Sequence, residues 1–246
     1  MTFLLIIGAS LIGGILSVLL AGSVLAIRPA LLDRALPRLV SFSTGALLGA
    51  ALLGMIPHAA TELSVPTMAS VVLGGLLTFL VLEKLLVWRH CHKHDCEVHA
   101  SSGALLLLGD AFHNFVDGVV IAGAFLASTP LGLSVALSTV AHEVPQEIGE
   151  FMVYLRSGFS RRRALLLNSA TSLTGVLGAI LGYFFLAEMR GVGPYLLTFA
   201  AAGFLYVALA DLVPIQRGKT SLRITIVDLV LVGVGIGAIA LLAGSH

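Results

Sequence analysis

The stretch LGLSVALSTVAHEVPQEIGEFMVYL, residues 131–155, is apolar at both ends and carries three glutamates, a histidine and a proline in between. As a helix it is long enough to cross the hydrocarbon core of a bilayer, which takes about 20 apolar residues. Yet an ionised side chain at the centre of a spanning helix costs about 2.5–3.5 kcal/mol on insertion scales. Whether this stretch lies in a membrane decides the fold, and the remainder of the chain answers that.

Of the 246 residues, 58% are hydrophobic and 11% charged, with a mean hydropathy of +1.04. Soluble domains run to roughly 45–50% apolar and about 25% charged residues, so the balance is that of an integral membrane protein. A net charge of +1 argues against nucleic acid as a partner. Eight apolar runs follow one another, at about 3–27, 38–57, 67–88, 102–126, 131–155, 163–187, 194–215 and 223–244. The connections are short and rich in Pro, Arg or Gly, as in RPALLDRALPR and QRGKTSLR. The expectation is one integral membrane domain over residues 1–246, all α-helical, with the bilayer as its surroundings. The first run lacks a basic leading segment and exceeds the usual 7–15 apolar residues of a cleaved signal. It is therefore expected to be a span.

Basic residues orient the chain, because cytoplasmic loops are enriched in them. The connections after spans 1, 3, 5 and 7 hold 13 of the 14 Lys and Arg residues, and only Arg190 lies among the others. Both termini are then expected outside the cytoplasm. The short connections point to a bacterial inner membrane.

Two spans carry the acids. Span 4 holds Asp110, His113, Asn114 and Asp117, and span 5 holds His142, Glu143, Gln146, Glu147 and Glu150. Five acids facing lipid would cost on the order of 15 kcal/mol, more than the roughly 5–15 kcal/mol by which a domain is stable. They must face inward. Each set follows the i, i+3, i+4, i+7 spacing that shares one helix face. No Lys or Arg stands mid-span to neutralise them, so the compensating cation is expected to come from outside. Imidazole nitrogen with carboxylate oxygen suits Zn²⁺ and related ions, whereas Mg²⁺ or Ca²⁺ would favour oxygen alone. A lone intramembrane His or Asp is ordinary interhelical hydrogen bonding, but two matched stripes are not. Asp110 and Glu150 sit a turn outside the densest part and read as liners of the approach path. Pro145 frees the carbonyl of Ala141, either as a tolerated membrane proline or to serve beside His142.

The pair HNFVDG at 113–118 and HEVPQEIGEF at 142–151 resembles the signatures of the ZIP family of divalent metal transporters, nearest its histidine-rich zinc-transporting branch. Further likeness lies in LLGMIPHA, in LEKLLVWRHCHKH and in AAGFLYVALADLVP. The resemblance implies an eight-helix bundle with a metal site between helices 4 and 5, moving Zn²⁺ into the cytoplasm, with Fe²⁺, Mn²⁺ or Cd²⁺ as further cargo. It implies His113, Asn114, Asp117, His142, Glu143 and Gln146 as ligand positions, with Glu147 beside them. Gln146 departs from the histidine usual in that branch, and a helix-6 glutamate found in some branches is missing from LLLNSATSLTGVLG. One well-formed metal position and a weaker neighbour are expected. Pairing into a homodimer is left open.

Other polar clusters carry lesser expectations. RHCHKHDCEVH, 89–99, gathers four His and two Cys in the 3–4 loop at no zinc-finger spacing, as a chelating segment or a soluble linker would. His58 with Glu62 stands at the outer end of span 2, and Asp211 near the inner end of span 7. The rival to transport is an intramembrane zinc hydrolase, since HEVPQE superficially matches the HExxH metalloprotease pattern. The second histidine is Gln146, so the chain is not expected to be an enzyme.

Overall fold

The structure, a computed structural model, describes residues 1–24, 29–90, 101–156, 158–189, 191–216 and 222–243. Every regular element among them is helical. Eight helical rods follow in order. They are α1 (Thr2–Val24), α2 (Pro29–Gly49, continued by a π-segment Ala50–Met55 and by Ile56–Ala59) and α3 (Val65–His90). Next come α4 (Ser101–Ala127), α5 (Thr129–Arg156) and α6 (Arg161–Glu188). The last two are α7 (Gly193–Tyr206, a π-segment Val207–Leu212 and Val213–Gln216) and α8 (Leu222–Ala243). Seven of them are long and apolar enough to cross a membrane. The other, α5, has the length at 28 residues and carries Glu143, Glu147 and Glu150.

Side chains are sorted as lipid would sort them. Leucines such as Leu4, Leu19, Leu73, Leu77, Leu229 and Leu241 are exposed, while Asp117, His142, Glu143, Asn168 and Thr198 are buried. Without water between helices, association rests on close packing and interhelical hydrogen bonds. Both are present. A Cβ on Gly118 would lie 1.8 Å from the carbonyl oxygen of Gly175, and one on Gly178 would lie 2.0 Å from that of Phe115. Only glycine lets α4 and α6 approach so closely. Gly45 and Gly235 do the same for α2 and α8, where added Cβ atoms would meet the carbonyls of Val232 and Phe42.

The contacts fall into two groups: α1, α4, α5 and α6 pack on one another, α2 packs on α8 and α3 on α7, and α2 joins the groups by lying along α5. That joint is polar. Ser138 Oγ donates to the carbonyl of Ala46 at 3.1 Å. Ser43 Oγ donates to the carbonyl of Ala141, the one that Pro145 frees four residues on. The open question about that proline resolves in favour of packing: α5 runs on through Pro145, and α2 takes up the freed acceptor.

Helices α4 and α5 are forced to be antiparallel neighbours, since a single residue, Ser128, separates Ala127 from Thr129. Ser128 Oγ accepts from the Leu131 N–H at 3.3 Å, which satisfies one of the unpaired donors at the start of α5. Gly132 leaves room for the ring of Phe125, which a Cβ would meet at 2.3 Å.

Candidate metal centre

The short turn sets the two polar stripes face to face. On α4, His113 and Asp117 are one turn apart; on α5, His142 and Glu143 are adjacent. One ligand atom from each of the four lies within 4.8 Å of all the others. His113 Nε2 stands 3.1 Å from His142 Nε2. His142 Nε2 is 3.3 Å from Asp117 Oδ2, and His113 Nε2 is 3.5 Å from Glu143 Oε1. The longer edges are 3.9 Å, from His142 to Glu143, and 4.0 Å, from His113 to Asp117. Four ligands at about 2.0–2.2 Å from a tetrahedral zinc are separated by roughly 3.3–3.6 Å. These five edges of the quartet run from 3.1 to 4.0 Å, within about 0.4 Å of that range.

Its chemistry agrees. A carbonyl can only accept, so the 2.9 Å contact between His142 Nδ1 and the Ser138 carbonyl places a proton on Nδ1. In the neutral ring, Nε2 then keeps its lone pair and presents it to the quartet. The ring of Phe204, from α7, stands edge-on to His142 with centroids 5.8 Å apart. Asp117, His142 and Glu143 are buried, and no donor reaches Asp117 Oδ2 or either oxygen of Glu143. Among the described residues, only histidines stand within ion-pairing distance of these carboxylates. Two carboxylates and two neutral imidazoles carry a charge of −2, which one divalent cation cancels. A cavity of about 20 Å³ borders Asp117 and Glu143 on the side of Gly14, Thr139 and Ser172, room for about one water.

The other three residues of the expected set make further contacts, and Asn114 also borders that cavity. Asn114 Nδ2 donates to Asp110 Oδ1 at 2.7 Å. Gln146 Nε2 donates to Glu150 Oε1 at 3.3 Å, which also leaves the HExxH comparison without its second ligand. Glu147 accepts from Ser172 Oγ at 3.2 Å on one oxygen and from Asn168 Nδ2 on the other, so it is held against α6. His58 is half-buried at the end of α2, where its carbonyl accepts from Thr61 Oγ1 at 2.7 Å, and Glu62 is exposed. Residues 91–99 and the side chains of Arg89, His90 and Asp211 lie outside the described residues. Ser138 and Phe204 were not singled out from sequence. Ser138 had a signal, since it stands one turn before His142 on the same face. Phe204 had none, because it reaches the site only through tertiary packing.

The family profile described as "ZIP Zinc transporter" matches residues 88–243. The chain is 29% identical over 264 residues to "Zinc transporter ZIP13" of Danio rerio, covering 85% of this chain and 76% of that one. It is 34% identical over 196 residues to "Zinc transporter ZIP13" of Pongo abelii, covering 73% of this chain and 58% of the relative. It is 28% identical over 215 residues to "Zinc transporter YKE4" of Saccharomyces cerevisiae (strain ATCC 204508 / S288c), covering 74% and 62%.

Proposed function

The chain belongs to the ZIP zinc transporter family, and on that premise we propose that it carries Zn²⁺ across a membrane through the His113, Asp117, His142 and Glu143 quartet. The observation that carries this reading is the geometry of those four groups: ligand atoms all within 4.8 Å of one another, two imidazoles, two carboxylates, and buried oxygens without donors. A transported ion must be held firmly enough to offset dehydration and loosely enough to leave. Mixed nitrogen and oxygen ligands suit that better than thiolates, which bind soft metals tightly. Fe²⁺, Mn²⁺ and Cd²⁺ are candidates for the same path. In this reading α5 crosses the bilayer with the other seven rods, its acids turned from lipid. The ion enters from the outer side, passes the quartet and leaves toward the cytoplasm. Both termini then lie on the outer side of a bacterial inner membrane, which reporter fusions at each end can check.

The test is zinc entry into liposomes that hold the purified protein and a zinc-sensitive dye. The expected result is entry driven by a zinc gradient, lost to background in His142→Ala. Competition by the other three metals ranks selectivity. Protein-independent entry, or full entry in the variant, would refute the proposal.

A further inference from the structure

Beyond the quartet, on the side of the α4 N-terminus and the α5 C-terminus, a second group of carboxyls is shut inside the protein. Asp110 and Glu150 are buried, 3% and 7% exposed. They stand seven residues from Asp117 and Glu143 respectively, in the same direction along the two antiparallel helices. That displaces them by two turns, roughly 10 Å, from the quartet. Their two carboxyl groups lie near enough to interact with each other, although each is only an acceptor when ionised. No donor reaches Asp110 Oδ2 or Glu150 Oε2. Asn114 and Gln146 each give one hydrogen bond to the opposite oxygens, and the Thr171 side chain also lies against the Asp110 carboxyl. A third acid, Glu147, lies near enough to interact with both by its charge.

Neutral oxygens are stranded in the same region. Tyr154, one turn beyond Glu150 on the same face of α5, is fully buried, and its hydroxyl has no partner. That hydroxyl lies within the field of Asp110 and Glu150. Asn168 donates its amide to Glu147, while its own Oδ1 has no donor. Among the described residues no Lys or Arg pairs with any of these acids. Two neighbouring buried carboxylates repel strongly in a low dielectric, which a cation between them, or a shared proton, relieves.

We propose that Asp110 and Glu150 form a second divalent-cation station, built from oxygen alone. The quartet offers two nitrogens and suits zinc, whereas an oxygen-only station has the ligand type of harder ions such as Mn²⁺. The station rests on the transport reading only for its place on the route, as the next stop of an ion leaving the quartet. It takes the ion weakly, because Asn114 and Gln146 already occupy one oxygen of each carboxyl.

The experiment uses the full chain in detergent, loaded with one equivalent of Zn²⁺ and then titrated with Mn²⁺, whose free ion is counted by electron paramagnetic resonance. Bound zinc is counted by elemental analysis. Wild type is expected to keep its zinc and take up one Mn²⁺ per chain. The Asp110→Asn/Glu150→Gln double variant is expected to keep its zinc, which shows an intact fold, and to lose Mn²⁺ uptake at least tenfold in affinity. His113→Ala/His142→Ala is expected to lose zinc and retain the Mn²⁺ site. No Mn²⁺ uptake by wild type would overturn the proposal, leaving the carboxyls to share a proton. Uptake unchanged in Asp110→Asn/Glu150→Gln would overturn it as well, by placing the ion elsewhere. Failure of wild type to hold zinc would count against the quartet, and leaves the manganese arms readable without it.

Discussion

His142 is held from two directions, by the Ser138 carbonyl at Nδ1 and by the Phe204 ring against its side. In the proposed site, a histidine so oriented loses little freedom when it binds an ion, which is how supporting groups raise metal affinity. Rank among the polar residues follows from such contacts. Asp117 and Glu143 have oxygens no donor reaches, whereas both Glu147 oxygens are already occupied. Asp117→Asn is therefore expected to weaken zinc binding by more than the roughly 10–100-fold typical of supporting residues. Gln146→Ala is expected to weaken it less than Asp117→Asn does, since its amide serves Glu150. Zinc titration calorimetry on the two variants checks the order, and a larger loss in Gln146→Ala would reverse it. The spacing rule put all seven expected residues on two stripes, of which the structure gathers His113, Asp117, His142 and Glu143. It could not tell Asn114 from Asp117, because a face of a helix is wide and each side chain's partner lies on another helix.

At the scale of elements, the site depends on how closely helices approach. Gly118 and Gly178 let α4 touch α6, and α4 carries half the quartet. Gly118→Ala would press a methyl into the Gly175 carbonyl. It is expected to destabilise the protein by about 1–3 kcal/mol, the usual cost of overpacking, and to lower zinc affinity by shifting His113 and Asp117. Gly109→Ala, on the same helix with open space around it, is the control and should leave both unchanged. Thermal unfolding in detergent with and without zinc reads both effects. Ser43→Ala tests the joint between the two groups of helices. It leaves the Ala141 carbonyl without its partner, and an unsatisfied buried acceptor costs about 1–3 kcal/mol. The elements themselves were legible: the eighth apolar run, 223–244, is the helix Leu222–Ala243 within a residue at either end. Runs 2 and 7 hid their π-segments, Ala50–Met55 and Val207–Leu212. A π-turn changes which carbonyl each N–H meets and leaves apolar periodicity almost unaltered, so nothing in LLGM or VALADL announces it.

For the whole molecule, composition and run length led to a helical membrane bundle because lipid admits few alternatives: backbone groups must be satisfied within each helix. The paired stripes led to the quartet because five uncompensated acids cannot be left facing lipid. What remained hidden was that Asp110 and Glu150 are buried as a group of their own beyond the quartet, since from sequence they look like the fringe of one site. The most direct test of the central claim is zinc-edge X-ray absorption on purified protein carrying one equivalent of Zn²⁺. The account predicts a first shell of nitrogen and oxygen at about 2.0–2.2 Å, with scattering from two imidazoles that falls to one in His142→Ala. A shell without imidazole, or one unchanged in that variant, would contradict it.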